Sequence, residues 1–239
     1  MDKRVAISQS NYIPWIGYFD LIASVDEFIL YDDMQYTRRD WRNRNKIKTP
    51  HGVHWLTVPV QVKGKYHQLI KETLLDGDEW KATHLQTIAQ NYRRSPFFSE
   101  IFDLVSPVYE KESFNTISEV NRRLIKLICR YLSIDTKIST SMDYHLTEGK
   151  TERLVSLCKQ SCANKYYSGP AAQCYLDTEL FSQSCVTVTW FKYGPYPQYK
   201  QLWGDFEPHV SVLDVLFNCG KETKKMLKNH KDFCQSTYR

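Results

Sequence analysis

The chain has 239 residues, enough for one large domain or two small ones with a real core, and 14% of them are aromatic, a composition that argues against disorder. The net charge of +5 is local, because outside one basic stretch near the start the charges balance; a general nucleic-acid coat is thereby disfavoured. No apolar run is long enough to span a membrane and the N-terminus has no hydrophobic signal core, so the expectation is a cytoplasmic protein with no membrane insertion.

The chain opens with a strand over Arg4–Ser8, a loop running to Tyr18, a short apolar helix over 19–23 and a second strand over 27–31 that ends in Asp32-Asp33. Strand, loop, helix, strand is the start of an α/β unit, whose ligands lie beyond the carboxyl ends of the strands. The 9–18 loop and the aspartates should meet at that edge. Next comes the densest feature, in which six cations fall within residues 38–48 against one acid, Asp40, interleaved with Trp41, Asn43 and Asn45. Arginine forks among amides and aromatic rings suit planar anions such as phosphates and nucleotides.

Residues 53–62 alternate as a strand, with Pro59 suggesting a sheet edge. Trp80, Leu85, Ile88 and Tyr92 mark a helix face, and a second helix from Phe97 to Tyr109 should break or kink at Pro107. Thr116-x-x-Glu119 is a capping box for a periodic helix through Tyr131. Beyond it, Ile138 lies in a short strand and Leu154 to Cys162 in a helix. Tyr166-Tyr167 form a strand into Ser168-Gly169-Pro170, with a helix from Pro170 through 176. Residues 186–191 form a strand, followed by the loop Tyr193-Gly194-Pro195-Tyr196-Pro197-Gln198. Ser211-x-x-Asp214 caps a last helix that stops at Gly220. The fold class is therefore α/β, a mostly parallel sheet flanked by helices with a helical middle segment. Residues 1–220 form one domain with a helical insertion at about 80–132, and 221–239 form a Lys-rich tail expected to fray. The seven cysteines read as small buried hydrophobes. Cys158-x-x-x-Cys162 looks like a metal half-site but lacks a partner pair, and no His-x-x-x-His occurs.

Three runs carry a resemblance: Gln9-x-x-Tyr12-x-Pro14-Trp15-x-Gly17-Tyr18, Asp32-Asp33-x-Gln35-Tyr36, and Asp40-Trp41-Arg42-Asn43-Arg44-Asn45-x-Ile47-Lys48. Downstream the order continues with Trp55-Leu56-Thr57-Val58-Pro59-Val60, Tyr167-Ser168-Gly169, Tyr196-Pro197-Gln198 and Ser211-x-Leu213-Asp214-x-Leu216-Phe217-Asn218-x-Gly220. Together these resemble the WbqC-like protein family over residues 4–220. The family is named for members in bacterial gene clusters that build O-antigen and other surface polysaccharides. The resemblance implies a transferase acting on a nucleotide-linked amino sugar, by acyl or aminoacyl transfer. The first loop also has a weaker likeness to nucleotidyltransferases that carry a His-x-Gly-His loop. Gly17 corresponds, but both histidines are absent, so a shared architecture is implied and the phosphate chemistry of that motif is not.

The candidate ligands are a nucleotide sugar or another phosphorylated small molecule. Arg39, Arg42, Arg44 and Lys48 are candidates to clamp a diphosphate, and Asn43 and Asn45 to read a base or sugar hydroxyl; the competing readings are a solvated loop and turn asparagines. Tyr12, Trp15, Tyr18 and Trp41 are a stacking wall or core. Gln9, Gly17, Gln35, Tyr196 and Gln198 join them through the motifs. Asp32 and Asp33 are candidates for general base or for holding Mg2+, with strand-end capping as the alternative. Adjacent strand residues point to opposite faces, so the two should not share one ligand. His84 is a general base or a core histidine. Ser168 and Gly169 open a helix whose N–H groups favour an anion. A second enzyme reading is nucleotidyl transfer, which needs Mg2+ and a nucleoside triphosphate; Mg2+ is the one cofactor these residues leave open. The non-enzyme alternative, a nucleic-acid module built on 38–48, is disfavoured because the cations form one block rather than a stripe.

Overall fold

Alternation at period two builds the central sheet. In β1 (Arg4–Ser8), Val5 and Ile7 point to one face and Ala6 to the other, and β2 (Glu27–Leu30) does the same with Ile29 against Phe28 and Leu30. The computed structural model describes residues 2–228. Five strands, completed by β5 (Lys137–Thr140), β6 (Lys165–Ser168) and β7 (Thr187–Trp190), form a parallel sheet in the order β5-β2-β1-β6-β7. The chain steps outward from β1 through β2 to β5, then returns to lay β6 on the other side of β1. Strand order therefore reverses between β1 and β6, the kind of switch point where α/β sheets open a crevice.

Helices cover both faces, as a buried parallel sheet requires. On one face, α1 (Ile16–Ala23) and the helices of the middle segment pack on Ala6, Phe28 and Leu30; on the other, α5 (Lys150–Gln160) and α6 (Thr178–Gln183) pack Leu154, Leu157 and Phe181 on Val5, Ile7 and Ile29. The middle segment is α2 (Glu79–Tyr92), α3 (Phe98–Glu110) and α4 (Ile117–Tyr131), and α7 (Val212–Cys219) closes it by stacking Phe217 on Tyr92 at 4.6 Å. Thr116 and Glu119 form the expected reciprocal cap of α4.

Several local expectations are corrected. The basic stretch is half strand: Arg44–Thr49 (β3) pairs antiparallel with Gly52–Thr57 (β4), burying Asn45 and Ile47 while Arg44 and Lys46 take the other face. The strand expected over 53–62 thus ends at Thr57. Pro107 sits inside α3 without interrupting it. The helix expected after Gly169 is a five-residue 3-10 turn, Pro170–Cys174, and the short helix α6 that follows was not anticipated. The tail does not fray at once, because Gly220–Met226 is a 3-10 helix with Thr223 and Leu227 buried. The rest of the tail, with Cys234, lies outside the described residues.

The cysteine expectation is also corrected. Cys129 and Cys158 are buried, and burial raises both thiols to about 12, but Cys162, Cys174 and Cys185 are exposed. Cys162 and Cys185, both at φ 56°, occupy the left-handed position just past α5 and α6. Paired bonds turn each helix end into the following strand: Ala163 N–H to Cys158 O with Cys162 N–H to Lys159 O, and Val186 N–H to Phe181 O with Cys185 N–H to Ser182 O. Ser133 does the same past α4, at φ 51°.

Candidate functional site

The carboxyl edge of the sheet opens into a cavity of about 710 Å3 on the α5 side of the switch point, within the size range of small-molecule sites. Ser8 and Gln9 enter it from the end of β1, Tyr31 and Met34 from the turn after β2, and Tyr166 from β6. Gly149, Lys150 and Arg153 line it from the start of α5, and exposed Tyr175 stands beyond the 3-10 turn. The side chain of Arg153 is held by its Nε, which donates to the Thr147 carbonyl at 2.7 Å. Its guanidinium also bonds Tyr31, whose phenol is raised by burial and pulled back down by Arg153. No carboxylate pairs with Arg153 or Lys150 among the described residues. Gly149, at φ 88°, gives α5 no side-chain cap, so the first N–H groups of that helix begin at the crevice without one. Three tyrosine rings, an amide and two uncompensated cations suit a ligand that is partly flat and partly anionic.

Of the residues singled out from sequence, Gln9 lines this crevice directly. Its carbonyl accepts the hydroxyl of buried Tyr18 at 3.0 Å, which fixes the turn out of β1. Asp32 and Asp33 leave β2 in opposite directions, as expected. Asp32 accepts Ser10 N–H at 2.8 Å and the Ser118 hydroxyl, while Asp33 accepts Lys71 Nζ and the Ser141 hydroxyl. Both carboxylates are buried and engaged by protein donors, so they tie the end of β2 to the loop after β1, to α4 and to the segments that carry Lys71 and Ser141. Among the described residues no group of three or more His, Cys, Asp and Glu is placed to hold a metal ion.

His84 lies away from the crevice, buried in the core. Its Nδ1 meets the Tyr12 hydroxyl at 2.8 Å, and Tyr12 meets the Tyr109 hydroxyl at 2.7 Å. Burial lowers its pKa to about 4, despite a hydrogen bond with the Thr57 carbonyl. The structure thus sets Tyr12 and His84 in one hydrogen-bonded core chain.

The 38–48 stretch touches the loop after β1 without sharing its crevice. Tyr12 N–H donates to Trp41 O at 2.9 Å, and the Arg42 guanidinium donates to the Asn11 side chain while lying 3.5 Å from Asp40. Arg39 is exposed, at φ 58°, and its carbonyl accepts from Arg44. Arg44 stacks on Trp55, and Asn43 donates to Val58 O at 2.8 Å. Lys48 is buried on the far side, with Nζ on Gln201 Oε1 at 2.8 Å and on the Asp205 carbonyl. Gln35 donates to Tyr66 O at 2.9 Å at the surface. These cations are mostly consumed by the fold and do not converge as a clamp.

A third group gathers around Trp15. Its ring covers Gly17, where an added Cβ would come within 2.4 Å of it, and it packs against Tyr193 and Tyr196 at 5.5 and 5.7 Å. Tyr196 donates to buried Asp20 at 2.9 Å, and Gly169 lies against Tyr193. Ser168 is buried, its carbonyl bonded to Phe191 N–H, and Gln198 is exposed. Arg153, Lys150, Tyr31 and Tyr175 were not anticipated. Their signal was the Gly149-Lys150 helix start, which gains meaning only once β6 is known to lie beside β1.

Among the described residues no helix is long and apolar enough to cross a membrane. No solved structure matches the chain. A protein of Mycobacterium tuberculosis (strain ATCC 25618 / H37Rv) described as "Uncharacterized protein Rv1507c" is 56% identical over 226 residues, covering 95% of this chain and 98% of that relative. The WbqC-like protein family model matches residues 9–226. With the match spanning most of its length, the chain belongs to the WbqC-like protein family.

Proposed function

We propose that the chain binds a phosphorylated small molecule, in particular a nucleotide-linked sugar, in the switch-point crevice, and that it acts there as a transferase on the sugar. The observation that carries the reading is Arg153, a guanidinium oriented by Thr147 and Tyr31 at the cavity wall with no carboxylate partner among the described residues. In this reading Arg153 and Lys150 take the diphosphate with the free N–H groups of α5, and the tyrosine wall takes the flat part of the nucleotide. Transfer of an acyl or aminoacyl group to an amino sugar is the reaction implied by the family resemblance, and Asp32 and Asp33 serve it by holding the strand ends in place.

The test is a thermal-shift panel of nucleotide sugars, nucleoside triphosphates, inorganic phosphate and short oligonucleotides, since a ligand that binds the folded state raises its melting temperature. At least one nucleotide sugar should raise the melting temperature above the shift given by phosphate alone. A panel in which only oligonucleotides act, with a steep loss of effect in salt, overturns the proposal.

A further inference from the structure

A second cavity, of about 190 Å3, lies on the other side of the loop after β1, lined by Asn11, Pro14, Trp15, Trp41, Asn45 and His209. We propose that it is a saccharide site that takes a single pyranose ring, separate from the crevice and not dependent on what binds there. Its frame is built rather than incidental, because four chain segments are tied around it. Tyr12 N–H bonds Trp41 O at 2.9 Å, Val212 N–H bonds Pro14 O at 3.0 Å, and Ser211 N–H bonds Lys46 O at 2.8 Å. Buried Asn45 spends its amide on the carbonyls of Tyr12 and Ile13, at 3.1 and 2.7 Å. Those bonds hold Ile13 at φ 39°, a left-handed conformation that a β-branched residue seldom adopts. Strain of this kind persists where surrounding bonds over-determine it, and it clusters at ligand sites. Here it falls at Ile13, between the lining residues Asn11 and Pro14.

The lining chooses the ligand class. Trp41 is 41% exposed although it is a large apolar ring; it tilts against Trp55 at 5.4 Å and lines the cavity with Asn11, whose side-chain oxygen accepts from Arg42, and with the exposed His209. A pyranose has an apolar face of C–H groups and an edge of hydroxyls, which matches a tryptophan face flanked by an amide and an imidazole. The volume fits one such ring and is too small for a whole nucleotide, and no Asp, Glu, Lys or Arg lines the cavity.

The experiment is saturation-transfer NMR titration of the full chain with methyl glycosides of glucose, galactose, mannose and N-acetylglucosamine, and with uridine and adenosine for comparison. At least one glycoside should bind at millimolar strength. Trp41→Ala should weaken it about tenfold or more, Trp41→Phe should keep most of the affinity, and Arg153→Ala should leave it unchanged. Should Trp41→Ala fail to fold by circular dichroism, His209→Trp, at an exposed rim position, fills the cavity instead and should abolish binding. Absence of glycoside binding overturns the proposal, as does loss of glycoside binding in Arg153→Ala with retention in Trp41→Ala; nucleoside binding that Trp41→Ala weakens as much as it weakens the glycoside overturns it too. Loss in Trp41→Ala alone leaves nucleotide-sugar binding in the crevice untouched, whereas loss in Arg153→Ala alone moves the glycoside to the crevice.

Discussion

The guanidinium carbon of Arg44 lies 4.1 Å from the centroid of the Trp55 ring, across the β3–β4 hairpin, with Lys46 Nζ 5.2 Å from the same ring. Two of the six cations in the basic stretch therefore stabilise the hairpin that carries them. Arg44→Ala should lower folding stability by about 0.5–2 kcal/mol, as loss of a cation–π contact does. Nucleotide-sugar affinity should stay near wild type. Denaturant unfolding beside calorimetric binding checks both; an affinity loss as large as that of an Arg153 variant would return Arg44 to the ligand site.

His84 gives a prediction in pH. Its folded pKa of about 4 lies below the ordinary 6.5, burial being the chief cause. Because the charged form is disfavoured in the fold, the stabilisation is complete above about 6.5 and is lost as pH falls from there toward 4. Histidine NMR titration should show one ring, removed by His84→Phe, that stays neutral through pH 5. A ring titrating near 6.5 would place His84 in contact with water.

The exposed cysteines past α5 and α6 give a prediction in stability. Cys162 and Cys185 hold a left-handed backbone that costs an L-residue roughly 1–2 kcal/mol and glycine nothing comparable. Cys185→Gly should therefore stabilise the chain by up to about 1 kcal/mol, and Cys162→Gly similarly. Unfolding midpoints at unchanged slope test this; a destabilised variant would mean that the thiols make contacts worth more than the backbone relief.

Much of the fold was legible in the sequence because its signals are local. The Val5, Ala6, Ile7 alternation gave β1, the Thr116–Glu119 pair gave the start of α4, and the approach of Arg42 to the loop after β1 followed from strand–loop order. The basic strand β3 was hidden because Arg44 and Lys48 read as clamp residues and not as members of an alternating strand. What makes it a strand is the inward row of Asn45 and Ile47 and a partner strand whose register no local pattern states. The site was less legible still. Gln9 could be found from its motif, but Arg153 reaches the crevice only because β6 pairs with β1 rather than with β5, a long-range choice that leaves no mark near residue 153.

The central claim rests on Arg153, and calorimetric titration of a nucleotide sugar into wild type, Arg153→Ala and Arg153→Lys tests it most directly. A charge-assisted contact out of water contributes roughly 1.5–3 kcal/mol, so Arg153→Ala should bind about tenfold or more weakly while still folding cooperatively. Arg153→Lys should recover only part, since an ammonium lacks the fork. Equal affinity across the three proteins, with their folds intact, would contradict the assignment of the crevice as the ligand site.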